Sequence, residues 1–356
     1  MASVDGGRRR LLLGWVAVVA GAVVVSLLLA LAHVPSPTLF GGLAAGLVRA
    51  LGGRTRLTVP RPAMTAAQAV IGVTIGALVN LSTLAALGQH WLPVLLVILG
   101  TLVLSLGAGQ LLRLQRGITP VTGAFSMIAG GASGITVMAR DLGADQRMVA
   151  VLQYLRVLLI VLVMPVVATT VYGASTGGGA PGAAAGPGWL AGVLFTAVCA
   201  VAGVALGRVT HLPVGALLGP MLVAAAADLA GLSHGAATPA LVESAAFVVI
   251  GLQVGISFTR ESLRTVGRAL PVALAIIVGL VLGCAALGAL LAAATGVGQL
   301  DAYLATTPGG LYAVLATATD SGADATFVLA VQVLRLFVML LSAPLLARWL
   351  RGRGTS

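Results

Sequence analysis

The chain has 356 residues, of which 59% are hydrophobic and only 8% charged, and its mean hydropathy is +1.10. A soluble domain carries about 25% charge, so no water-facing surface can be built from this sequence and a polytopic membrane protein is expected. The net charge of +11 is carried by arginine alone, mostly in short loops as cytoplasmic charges are, and no polar stretch is long enough to fold into a nucleic-acid-binding domain.

In chain order, Leu11–Ala32 reads as a span of about 20 apolar residues behind Arg8-Arg9-Arg10. It could pass for a signal peptide, but its counterpart at Trp189–Gly207 is internal, so a retained span is expected. A shorter glycine-rich segment follows at His33–Leu51, then Met64–Val79, a mild linker at Asn80–Trp91, and Leu92–Leu114. Next come a glycine-broken apolar segment, Ile118–Arg140, and a span at Arg147–Val171. The Gly/Ala/Pro/Ser stretch 173–188 has the composition of a flexible linker. Beyond it the order recurs: Trp189–Gly207, His211–Leu232, Ala240–Phe258, an amphipathic linker at Thr259–Leu270, Pro271–Thr295, a second broken segment at Val297–Thr319, and Ala325–Leu350.

The recurrence is a duplication. At an offset of 179 residues, Ile118–Arg156 and Val297–Arg335 match without a gap at Gly130/Gly309, Gly131/Gly310, Asp141/Asp320, Gly143/Gly322, Asp145/Asp324, Gln153/Gln332 and Arg156/Arg335. His33-Val34-Pro35 likewise mirrors His211-Leu212-Pro213, and Ile71-Gly72 mirrors Ile250-Gly251. The domain organisation is therefore a first membrane repeat over 1–172, the external linker 173–188, and a second membrane repeat over 189–356.

Arginine placement orients the repeats. If both broken segments are re-entrant hairpins, all 18 arginines in loops or at ends fall on one side; if both span, the split is 12 to 6. The positive-inside rule favours hairpins. The expected fold is thus all-α and polytopic, with two inverted repeats of about five spans plus one re-entrant or broken helix hairpin each. Both termini are then cytoplasmic. A single kinked span in place of each hairpin is the blander alternative.

Non-helical backbone inside a membrane is tolerated where it is buried in protein or lines a cavity. Two hairpin tips meeting near the midplane are where an inverted-repeat transporter binds its solute. The candidate solute-binding residues are therefore Gly130, Gly131, Ser133 and Gly134 at the first tip, and Thr306, Thr307, Gly309, Gly310 and Tyr312 at the second. Arg156 and Arg335 are the only basic residues away from loops and ends, each about ten residues into its helix. A guanidinium there costs about 2.5–3.5 kcal/mol on insertion scales, so something must offset it. Gln153 and Gln332, three residues earlier, share its helix face. Carbonyls at the tips, or a bound anion gripped by the guanidinium fork, are the candidate partners; an arginine that merely ties hairpin to helix is the structural alternative. Asp145 and Asp324 read as N-caps of the last span of each half. Asp141 and Asp320 read as holding the glycine turn, with cation or proton coupling as the sharper role for these acids. Glu243, near one end of its span, is an outside candidate for coupling.

The four histidines sit at span ends without metal-ligand spacing, and Cys199 and Cys284 lie apart in apolar helices without a CxxC pattern. No metal, cofactor or nucleophile–base arrangement is expected, and no enzymatic activity.

The paired P-x-x-x-LFGG and P-x-x-x-LLGP segments, the GG tips and the twin D-x-G-A-D…Q-x-x-R blocks resemble the AbrB-type bacterial membrane protein family, over about residues 15–350. That family consists of two copies of one membrane repeat. The resemblance implies a multi-pass protein of the bacterial inner membrane with a transporter-like fold. Family members often carry the labels transcriptional regulator or ammonia monooxygenase, and neither a DNA-binding module nor a copper-ligand cluster stands in these residues to support them. The hairpin layout is also similar to that of elevator-type anion transporters, at the level of fold. The expected function is secondary transport of a small solute, anionic or zwitterionic, the halves rocking or sliding while the hairpins gate in turn. A membrane-embedded sensor or regulator of gene expression is the alternative. Expected partners are the lipid bilayer and a small-molecule solute, with a homo-oligomer left open and nucleic acid excluded.

Overall fold

The computed structural model describes residues 2–32, 34, 36–52, 57–79, 85, 88–115, 118–129, 143–174, 188–212, 214–257, 267 and 270–352. All regular structure among them is helical. The first half contributes α1 (Ala2–Leu31), α2 (Pro37–Gly52), α3 (Arg61–Gly76), α4 (Trp91–Leu111, extended by a 3-10 turn at Leu112–Leu114), α5 (Pro120–Met127) and α6 (Gln146–Thr170). The second contributes α7 (Trp189–Val209), α8 (Gly215–Leu229), α9 (Ala240–Ile256), α10 (Leu270–Thr295), α11 (Gln299–Thr306), α12 (Leu311–Asp320) and α13 (Ala325–Gly352). The linker 173–188 lies outside the described residues from 175 to 187.

Stretches within α1, α4, α6, α7 and α10 are long and apolar enough to cross a membrane. Leu190, Leu194, Val198 and Val201 along one side of α7 are exposed, the surface that a lipid-facing helix presents. The chain is an all-α, multi-pass membrane protein. Helices α2 and α8 are short, at 16 and 15 residues. At 1.5 Å per residue each covers less than the ~30 Å hydrocarbon core.

The helices sort into two compact units, each drawing on both halves of the sequence. The first comprises 1–80, 174–258 and 319–326. Within it α2 packs on α9, and α8, the copy of α2, packs on α3, the copy of α9. Glycine makes both seams. A Cβ on Gly251 would fall onto the Leu39 carbonyl, and one on Gly72 onto the Leu217 carbonyl. Backbones approach this closely in membranes because dispersion and small residues, not burial from water, hold helices together.

The second unit comprises 81–173, 259–318 and 327–356. Here α5 packs on α4 and α6, and α11 packs on α10 and α4. Two apolar clusters hold the arms. Phe125, Ile128 and Val121 of the first pack with Leu102 and Val149; Ala302 and Ala305 of the second pack with Ile98, Leu291, Phe327 and Val331.

The second broken segment doubles back. From Phe327 to Arg335, α13 meets successively later residues of α11: Phe327 and Val331 cluster with Ala302 and Ala305, Gln332 bonds to Leu304, and Arg335 to Thr306. The two helices therefore run alongside in the same direction. Since α12 leads from the tip back to the start of α13 through Ser321–Asp324, it runs against α11. The cause of the break is local: Pro308 disfavours helical geometry at Thr307, which takes φ −55° and ψ 124° and ends α11.

The first segment has the same framework. Asp145 N–H donates to Thr122 Oγ1, Gln153 to the Phe125 carbonyl and Arg156 to the Met127 carbonyl, so α5 runs alongside α6 in the same direction, start beside start. Ile128, 179 residues before Thr307, ends α5 with an extended ψ of 124°.

Candidate functional site

Both arginines lie in the second unit, deep in protein: Arg156 is 3% exposed and Arg335 4%. Arg156 Nη1 donates to the Met127 carbonyl at 2.5 Å. Arg335 Nη1 donates to the Thr307 carbonyl at 2.6 Å and the Thr306 carbonyl at 3.3 Å. Each acceptor is at the last turn of a hairpin's first arm, where helix carbonyls lack intrahelical partners and carry partial negative charge. A guanidinium is a suitable cap there, with five donors in a fixed plane. Of the two offsets named for the midplane charge, tip carbonyls are thus the ones seen. Gln153 and Gln332 do the same job one turn earlier, donating to the Phe125 and Leu304 carbonyls, both at 2.7 Å. Phe125 and Leu304, like Met127 and Thr306, are 179 residues apart, so the duplication extends to the hydrogen bonds.

The carbonyls do not use up the arginines. Nε of Arg156 and Nε of Arg335 are buried without a hydrogen-bond partner, as is Gln153 Oε1. Orphaned charged donors are expensive inside protein. The second tip reaches this place: a Cβ on Gly309 would lie 3.4 Å from Arg156 Nε and 3.4 Å from Ile160 Cδ1, and one on Gly310 3.4 Å from Val161 Cγ2. Gly310 has φ +71°, which L side chains rarely adopt. α12 begins at the next residue, so a helix N-terminus with its free N–H groups opens at the tip.

Other candidates fall in different places. Thr306 Oγ1 donates to the Ala302 and Tyr303 carbonyls, and Thr307 Oγ1 to the Tyr303 carbonyl. Their hydroxyl protons turn back into the helix, and it is their carbonyls that face Arg335. Tyr312 is half-buried in the first turn of α12. Gly130, Gly131, Ser133, Gly134 and Asp141 lie outside the described residues. Asp145 caps α6, its Oδ1 accepting from Arg147 N–H at 2.9 Å and Met148 N–H at 3.1 Å. Asp324 immediately precedes α13. Asp320 accepts from Ser36 N–H at 2.6 Å, joining the end of the second hairpin to the start of α2 within the first unit. Glu243, in the first turn of α9, is its electrostatic neighbour.

Sequence reasoning missed the seats of the hairpin arms. Gly109 of α4 lies against Gly123 and Ala124, and Gly288 of α10 against Ala302 and Thr306. The signal was present, since Gly109 and Gly288 are also 179 apart. Cys284 of α10 is fully buried and within electrostatic range of both guanidiniums. Among the described residues, no three of His, Cys, Asp and Glu gather as a metal site.

Residues 38–351 match the family model described as "Transition state regulatory protein AbrB". The chain is 35% identical over 331 residues to "Putative regulator AbrB" of Escherichia coli K12, covering 92% of this chain and 94% of that protein. It is 27% identical over 290 residues to "Uncharacterized protein YhjN" of Bacillus subtilis 168, covering 78% and 76%.

Proposed function

From a chain that belongs to the AbrB membrane family, and whose second unit holds two buried arginines at two hairpin ends, we propose a secondary transporter that moves a small anionic solute. The observation that carries this is the pair of buried guanidiniums, each with an Nε that has no hydrogen-bond partner. A bound anion would give these donors an acceptor. The N-terminus of α12 adds favourable dipoles, and Gly309 lies against Arg156, a Cβ built there being 3.4 Å from its Nε. Hairpins that reach the site from opposite faces of the membrane can gate it in turn. The solute crosses unchanged, with no catalytic step. The bacterial inner membrane is the expected location, with both termini cytoplasmic.

The experiment is direct. The purified protein is screened for thermal stabilisation by a panel of anions, since a ligand that binds the folded state raises its stability. Each stabilising anion is then loaded into proteoliposomes for counterflow uptake. Saturable uptake by the wild-type protein, lost in Arg156→Gln, is expected. Stabilisation without uptake would refute transport and leave a solute-binding regulator. That second reading is favoured by the regulator names of the family model and the Escherichia coli relative.

A further inference from the structure

The two glutamine–arginine pairs are copies in sequence, yet their bonds differ. Gln332 Oε1 accepts from Arg335 Nη2 at 2.5 Å, while Gln332 Nε2 reaches the Leu304 carbonyl at 2.7 Å and the Thr307 carbonyl at 3.3 Å. The second pair is closed: both ends of the amide are occupied. In the first pair Gln153 Nε2 donates to the Phe125 carbonyl, and Gln153 Oε1, fully buried, accepts nothing. The amide cannot flip to hide that oxygen, because a carbonyl only accepts and must face the NH2 group. Among the described residues, Arg156 makes one hydrogen bond where Arg335 makes three.

So the first half keeps open a cationic donor, Arg156 Nε–H, and a neutral acceptor, Gln153 Oε1. They are three residues apart on one face of α6, where side chains are neighbours at about 5–6 Å. Gly309 lies against Arg156 Nε, Ile160 and Val157. An unpaired buried acceptor is costly, and an anion without a proton to give cannot satisfy it.

Resting on the anion reading above, we propose that the solute is a small carboxylate with a hydrogen-bond donor on the adjacent carbon, a 2-hydroxy or 2-amino acid. Its carboxylate accepts from Arg156 and its hydroxyl or ammonium donates to Gln153 Oε1. Gln153 is then the specificity-determining residue. Arg335, whose Nε is also without a partner, supplies a second cationic donor for the carboxylate, and Gln332, closed on its own arginine, takes no part in recognition.

The test uses the full-length purified protein and measures binding by calorimetry and thermal shift. The probes are lactate and alanine, propanoate, which lacks the donor, and 2-methoxypropanoate, which keeps the oxygen but cannot donate. Inorganic phosphate serves as a plain anion. Lactate or alanine is expected to bind about 10- to 100-fold more tightly than propanoate and 2-methoxypropanoate, the span of a buried acceptor left unpaired. Which of the two binds distinguishes a hydroxyl from an ammonium donor. In Gln153→Leu the preference over propanoate should disappear; in Gln332→Leu it should persist. Equal binding of lactate and 2-methoxypropanoate overturns the proposal, and this comparison needs no variant. A preference that survives in Gln153→Leu, or vanishes equally in Gln332→Leu, also overturns it. If phosphate or propanoate binds and neither donor-bearing acid does better, this assignment fails while the anion site stands. If none of the probes binds, the assignment of this solute class fails, and the broader anion panel decides the site itself.

Discussion

Replacing Arg335 by Met should destabilise the protein far more than replacing Arg156 by Met. Both arginines carry the same insertion penalty of about 2.5–3.5 kcal/mol, so removing either recovers it equally. What differs is the number of bonds lost. Arg335 donates to the Thr306 and Thr307 carbonyls and to Gln332 Oε1; Arg156 donates to the Met127 carbonyl. A hydrogen bond to a charged group contributes about 1.5–3 kcal/mol net. The two additional bonds therefore separate the variants by roughly 3–6 kcal/mol, the common term cancelling. Arg156→Met, with one bond lost against the recovered penalty, should lie between about 2 kcal/mol more stable and about 0.5 kcal/mol less stable than the wild type. Thermal unfolding in one detergent, without added solute, measures this. At about 1.3 °C per kcal/mol for a chain of 356 residues, Arg335→Met should unfold at least ~4 °C below Arg156→Met. Midpoints within ~2 °C of each other, or the reverse order, would refute the inference that Arg335 is knit into the second hairpin and Arg156 held open.

Three further outcomes follow from local geometry. Gly251→Leu places side-chain atoms on the Leu39 carbonyl between α9 and α2, so overpacking of about 3 kcal/mol or more should abolish the folded peak in size-exclusion chromatography, whereas Gly52→Ala, with nothing within 4 Å, should elute as the wild type. Gly143→Ala introduces no clash but keeps φ at +80°; it should cost about 1–2 kcal/mol, and Gly143→Asn should cost less, as read from the unfolding midpoint. Asp145→Ala removes a cap that accepts from two backbone N–H groups and should cost about 1 kcal/mol, with Asp145→Ser recovering most of it.

Several features were legible without coordinates because their causes are local. Low charge and long apolar runs define a membrane protein wherever they occur. Pro308 ends α11 through its immediate neighbour, and Gly143 and Gly322 take positive φ in turns of the same sequence. Asp145 caps the helix it precedes. The duplication itself is a comparison of letters, and the repeated bonds from Gln153 and Gln332 follow its offset.

What the tertiary structure decided is how these pieces are used. No pattern of residue types shows that α2 pairs with α9 and α8 with α3, because a glycine seam is complementary to any backbone. Nor could letters choose the partners of Arg156 and Arg335: carbonyls 28 and 29 residues away belong to every residue alike, and only the register of α5 on α6 and of α11 on α13 selects them. The same register left Gln153 Oε1 empty and filled Gln332 Oε1. Two identical Q-x-x-R motifs became one closed clip and one open donor–acceptor pair because a hydrogen bond depends on placement, which sequence identity does not set.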